Sequence, residues 1–105
     1  MTDKFLQFMG LTKRAGKLVE GYNICENIIK KNKLYFVIMS RDISKNTCKK
    51  FLNYSCSYNV PVIKTQYSKE QLGGAIGLKE INIIGISDNK MGKVLFELWK
   101  KNEKL

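Results

Sequence analysis

The stretch Leu34-Tyr35-Phe36-Val37-Ile38-Met39 is an unbroken apolar run of strand length. Aromatic and β-branched residues favour extended backbone, and a strand without polar alternation has to be covered on both faces. A chain built around such a strand needs a layer of helices on either side of its sheet.

The flanking sequence supplies those layers. Phe5, Leu6, Phe8 and Met9 predict a first helix over about Asp3 to Lys13, broken at Gly16. Leu18-Val19 is a short buried strand that stops at Gly21. Ile24, Cys25, Ile28 and Ile29 recur at helical spacing, and the basic run Lys30 to Lys33 suits the negative end of that helix. After the central strand, Asp42 or Ser44 caps a third helix. Its inner face is Cys48, Phe51, Leu52 and Cys56, and its outer face carries Lys45, Lys49 and Lys50. Asn59 and Pro61 frame a turn into a third strand at Val62-Ile63. Ser68 to Gln71 has the form of a capping box, opening a short helix to Ile76 with Gly77 as its left-handed end. Ile81 to Ile86 is a fourth strand. Asp88 or Ser87 caps a last helix with Met91, Val94, Leu95 and Leu98 buried, and Asn102 to Leu105 fray. The expected architecture is α/β, a three-layer α/β/α sandwich, with residues 1–105 forming one domain.

Nineteen Lys and Arg against nine Asp and Glu leave a net charge of +10. A field of that sign draws a protein toward nucleic acid or an anionic surface. No apolar run reaches the roughly eighteen residues of a membrane span. Met1 to Phe5 lacks the basic-then-apolar shape of a signal peptide. A cytoplasmic protein with no membrane association is therefore expected. Cys25, Cys48 and Cys56 have no paired spacing and read as small core residues. The chain has no histidine, the commonest general base and metal ligand. Its carboxylates form no evident acid–base pair, and its glycines spell no nucleotide-binding signature. Neither an enzyme, nor a metal, nor a cofactor is expected.

Two glycine-marked segments remain. Lys17 to Asn23 ends a strand just before a helix, and Leu72-Gly73-Gly74-Ala75-Ile76-Gly77 forms a short small-residue helix. A helix entrance offers free N–H donors and a positive dipole end, which suit phosphate. Lys17, Lys30, Lys31 and Arg41 provide the charge for a phosphate backbone. In an alternating α/β topology the turns after the first two strands share one edge of the sheet, so Gly21, Asn23, Arg41 and the loop before Ser68 fall together. Gly21 is either a simple strand-end glycine or a place where a sugar-phosphate backbone approaches closely. Asn23 is either a helix cap or an amide facing a base edge. Tyr67 is either ordinary packing or an exposed ring that stacks on an extruded base.

Gly21-Tyr22-Asn23, the apolar strand, Asn59-Val60-Pro61 and the Leu72 to Gly77 segment follow one another in an order that resembles the L7Ae/L30e/Gadd superfamily of kink-turn RNA-binding ribosomal proteins. Gly10 to Lys17 and Asp42 to Lys50 resemble its bacterial YlxQ-type branch. The similarity covers about Phe5 to Leu98. It implies a mixed four-stranded sheet, a helix-two entrance that reads tandem sheared G·A pairs, and a loop before the LGxAxG helix that covers an extruded nucleotide. Gly21 and Asn23 match the family's GxNExxK pattern, whereas Ile24 stands at its Glu and Asn27 at its Lys. The residue reading and the resemblance together give as expected RNA-binding residues Lys17, Gly21, Asn23, Ile24, Asn27, Lys30, Lys31, Arg41, Tyr67 and Ser68, with ribosomal or kink-turn-like RNA as the expected partner of a monomer. The alternative is a protein-interaction adaptor that keeps the fold, favoured by an apolar Ile24 at the helix entrance.

Overall fold

The apolar run becomes an inner strand. A computed structural model describes residues 3–103, and their order is α1 (Lys4–Arg14), β1 (Leu18–Glu20), α2 (Tyr22–Lys30), β2 (Phe36–Met39), α3 (Lys45–Tyr58), β3 (Val62–Lys64), α4 (Lys69–Ala75), β4 (Ile83–Ile86) and α5 (Asn89–Glu103). The sheet runs β1-β4-β2-β3. β4 is antiparallel to both β1 and β2, and β2 is parallel to β3. The sheet is therefore mixed, and β1, β2 and β3 all point the same way.

Strand alternation sorts the two cores. Phe36, Ile38, Ile63, Ile84 and Ile86 face one side, where Phe5 and Met9 of α1, Leu72 of α4 and Leu95 of α5 cover them. Val37, Met39 and Ile83 face the other, under Cys25 and Ile29 of α2 and Phe51 of α3. Each fully buried side chain of this size contributes about 1.5–3 kcal/mol relative to exposure. This is the expected α/β/α sandwich.

Several local expectations change. β1 is only half-buried, because it lies at the edge of the sheet. Leu52 and Cys56 of α3 are exposed. Only one side of that helix is covered, and Phe51, Tyr54 and Tyr58 occupy it instead, with Cys48 beside them. Val94 of α5 is exposed for the same reason, and Phe96 and Trp99 join the stripe of Met91, Leu95 and Leu98. Asn102 is helical rather than frayed, its amide donating to the Tyr67 hydroxyl at 3.2 Å. Lys104 and Leu105 lie outside the described residues. Both cap candidates for α3 are used, at different helices. Ser44 Oγ accepts from the Thr47 N–H, while Asp42 accepts from the Lys69 N–H of α4. Asp88 caps α5 through the Met91 N–H at 2.9 Å.

The two adjacent glycines of α4 have opposite surroundings. A Cβ on Gly73 would sit 2.6 Å from the Glu80 Cα, against backbone that cannot swing away. A Cβ on Gly74 would meet nothing within 4 Å. Gly73→Ala is expected to destabilise the fold by about 1–3 kcal/mol through overpacking. Gly74→Ala should be neutral or add up to about 1 kcal/mol of helix stability. Chemical denaturation of the two variants checks this, and equal stabilities would contradict the close approach at Gly73.

Candidate nucleic-acid interface

Because β1, β2 and β3 share a direction, their C-terminal ends and the start of β4 meet at one edge. Hydrogen bonds bind the connecting segments there. The Gly21 N–H donates to the Ile83 carbonyl at 3.0 Å, and the Ser40 N–H to the Asn82 carbonyl at 2.9 Å. The Ser40 hydroxyl donates to Asn82 Oδ1 at 2.6 Å. The Arg41 N–H donates to the Tyr67 carbonyl at 2.8 Å. A cleft of about 400 Å³ opens between the entrances of α2 and α3, lined by Gly21, Tyr22, Asp42, Ser44, Thr47 and Asn82 among others.

Gly21 is the N-cap of α2, at φ 95° and ψ 163°, and makes no side-chain cap. The Tyr22, Asn23 and Ile24 N–H groups in the first turn have no intrahelical acceptor. This backbone conformation excludes branched residues, so Gly21 is more than a strand-end glycine, and valine is not locally acceptable there. Asn23 is not the cap. It lies inside the first turn, exposed, with its amide free to face outward.

Asn23, Asn27, Lys30 and Lys31 form an exposed stripe along α2, with the two lysines about 13 Å from the helix entrance. Ile24 lies beside that stripe and is 51% exposed. Arg41 is also exposed at the shared edge, its guanidinium donating to the Gln66 carbonyl at 3.4 Å.

Three expected residues have different settings. Lys17 precedes β1, about 13 Å from Gly21 at the opposite edge, where its carbonyl accepts from the Ser87 N–H. The expected exposed stacking ring of Tyr67 is instead half-buried, stacked on Phe5 with 5.6 Å between centroids and a 13° interplanar angle. Its hydroxyl donates to Asp3 at 2.5 Å, and burial pushes the phenol well above its ordinary range, so it stays a neutral donor. Ser68 is buried and caps α4 in a complete capping box with Gln71.

A further group went unread in the sequence. Tyr22, Glu26 and Lys30 stand one turn apart on α2, facing Lys50 and Tyr54 on α3. The Glu26 carboxylate accepts from the Tyr54 hydroxyl at 2.6 Å, Lys50 Nζ at 2.8 Å and the Tyr22 hydroxyl at 3.3 Å. The Lys50 ammonium sits 5.2 Å from the Tyr22 ring centroid, and the Lys30 ammonium 5.6 Å from that of Tyr54. The hydrogen bonds from Lys50 and then Tyr54 hold the Glu26 carboxyl near 2, well below its ordinary 4.5. The four-residue spacing within each helix is the signal that marks this ladder. By contrast, burial pushes the Cys25 thiol up to about 12, which keeps it from acting as a nucleophile.

The profile of the ribosomal protein L7Ae/L30e/S12e/Gadd45 family matches residues 3–96. The chain belongs to that family. It is 35% identical over 95 residues to the RNA-binding protein YlxQ of Enterococcus faecium, covering 90% of each chain. It is 28% identical over 95 residues to the RNA-binding protein YlxQ of Bacillus subtilis (strain 168), covering 90% of this chain and 94% of that one. Among solved structures, a Bacillus halodurans protein of unknown function superposes with a TM-score of 0.91 at 31% identity, covering 94% of this chain and 99% of the other. The Giardia lamblia 15.5kD RNA binding protein shares the fold, with a TM-score of 0.78 at 18% identity and coverage of 99% and 92%. The resemblance to the YlxQ-type branch is thus borne out.

Two outcomes follow from this geometry. Gly21→Val is expected to lower thermal stability together with any binding, since the strain falls on the fold itself. A valine variant that melts like the wild type would contradict the positive φ. Glu26 stabilises the α2–α3 contact only while ionised. Its folded value lies below its unfolded one, so the contribution is complete above about pH 4.5 and is lost as pH falls toward 2. Melting temperature should fall through that window, and less steeply in Glu26→Gln. Parallel pH profiles of the two proteins would contradict the carboxylate's role.

Proposed function

We propose that the chain is a non-catalytic RNA-binding domain that grips an internal loop of structured RNA at the α2 entrance. The observation that carries this reading is the uncapped first turn of α2 beside the exposed Asn23–Asn27–Lys30–Lys31 stripe. N–H donors and the positive dipole end suit phosphate, and amides suit base edges. Lys30, Lys31 and Arg41 supply phosphate contacts, with Gly21 leaving room for a sugar-phosphate backbone. Tyr67 and Ser68 hold the neighbouring loop in place rather than touching RNA, and Lys17 lies at the other end of β1 from the helix entrance. The YlxQ relatives named as RNA-binding proteins support the partner class. Ribosomal RNA or a kink-turn-like motif is the target class that the family suggests.

Ile24 favours a second reading. Its half-exposed apolar side chain at the entrance also suits a protein partner, as in an adaptor that keeps the fold. Crosslinking to RNA in cells, followed by sequencing, separates the two. Enrichment of a structured internal loop is expected, and recovery at background level would favour the adaptor.

The departures from the family pattern give a binding prediction. Ile24→Glu with Asn27→Lys should strengthen binding to a standard kink-turn about tenfold or more, because each restored base contact is worth about 1–3 kcal/mol by analogy with DNA readout. Both positions are exposed, so the helix should tolerate the changes. A folded double variant with unchanged kink-turn affinity would remove these positions from the RNA site.

A further inference from the structure

The outer face of α3 adjoins the candidate interface but is not explained by it. The cleft at the α2 entrance is shared with Ser44, the N-cap of α3, and Thr47 in its first turn, so a backbone crossing Gly21 meets the start of α3 next. The Glu26 ladder clamps the two helices together, fixing their offset. Beyond the clamp, Lys45, Asn46, Lys49 and Asn53 are all exposed, and Leu52 and Cys56 are exposed beside the two lysines. Lys45 and Lys49 lie one turn apart, about 6 Å along the axis. Among the described residues neither of them takes part in an ion pair. The only carboxylate on either helix is Glu26, which Lys50 already neutralises. The lysine-bearing face of α5 differs, because it lies on the opposite layer and Lys100 is paired with Glu97 there.

We propose that the outer face of α3 is a second RNA contact, in which Lys45 and Lys49 hold the phosphates of a duplex stem flanking the loop seated at α2. This rests on the RNA reading above. Charge complementarity and continuity with the α2 entrance favour a stem over an apolar protein partner. Asn46 and Asn53 supply neutral donors for sugar and phosphate oxygens along the same face.

The test uses two RNA hairpins carrying a tandem G·A internal loop, one with a flanking stem of about four base pairs and one of about twelve, long enough to lie along α3. Wild type should bind the long-stem RNA more tightly. Lys45→Gln with Lys49→Gln should weaken long-stem binding about fivefold to tenfold and leave short-stem binding unchanged. The salt dependence on the long-stem RNA should become shallower by about 1.4–1.8 in log–log slope, at 0.7–0.9 per phosphate. Lys90→Gln with Lys93→Gln, an equal charge change on α5, should leave both RNAs unaffected. Lys45→Arg with Lys49→Arg should preserve long-stem binding. If wild type binds both RNAs and the Gln pair changes neither the long-stem affinity nor its salt slope, the α3 contact is overturned while the α2 site stands. An equal loss from the α5 pair would also overturn it, in favour of diffuse charge. If wild type binds neither RNA, the α3 contact falls, since its stem has to flank a loop seated at α2, while crosslinking in cells decides the RNA reading separately.

Discussion

The antiparallel seating of β4 between β1 and β2 is the constraint on which the rest of the molecule depends. One strand opposing two neighbours forces those neighbours to run the same way. Their ends then emerge together, and the helices that follow them begin side by side. Gly85 sits at the centre of this arrangement, paired with Val19 on one side and Val37 on the other. A Cβ there would come within 2.9 Å of Leu34 and Val19 side-chain atoms, which occupy the space instead. The inner sheet thus fixes the candidate interface from a distance, through strand direction.

Over that frame, polarity is divided. The α1, α4 and α5 layer spends its polar groups on holding loops, as in the Ser68–Gln71 box and the Asp3–Tyr67 bond. The α2 and α3 layer spends them on holding two helices to each other through Glu26. That carboxylate is partly open to water, so its contribution to stability is small compared with the buried core. Its larger effect is geometric, because it keeps the exposed amides and ammonium groups of both helices in fixed relation.

The architecture was legible because its signals are local. The Leu34 to Met39 run, the Ser68 to Gln71 box and Gly77 each carry their meaning within a few residues, and Gly77 indeed has a positive φ of 82°. The shared edge was legible too, since alternation of strands and helices implies it. The site was harder to read where a residue's role depends on distant partners. Tyr67 stacks on Phe5 and bonds to Asp3 from 64 residues away, which nothing near it announces. Gly21 takes its positive φ while bonded to Ile83 across the sheet, a partner that its neighbours in sequence do not disclose. Leu52, Cys56 and Val94 are apolar at helical spacing, yet each lies outside the narrow side that one sheet face covers.

The Tyr67 hydroxyl joins three parts of the chain, donating to Asp3 before α1 and accepting from Asn102 near the end of α5. Its backbone carbonyl meanwhile holds Arg41 at the interface edge. A single residue therefore acts as a keystone between the two ends of the described fold and the rim of the candidate interface. The consequence is that the rim is a rigid ledge instead of a flap. Its ordering entropy is settled when the protein folds, before any ligand arrives, so the ligand meets a surface that has little left to rearrange.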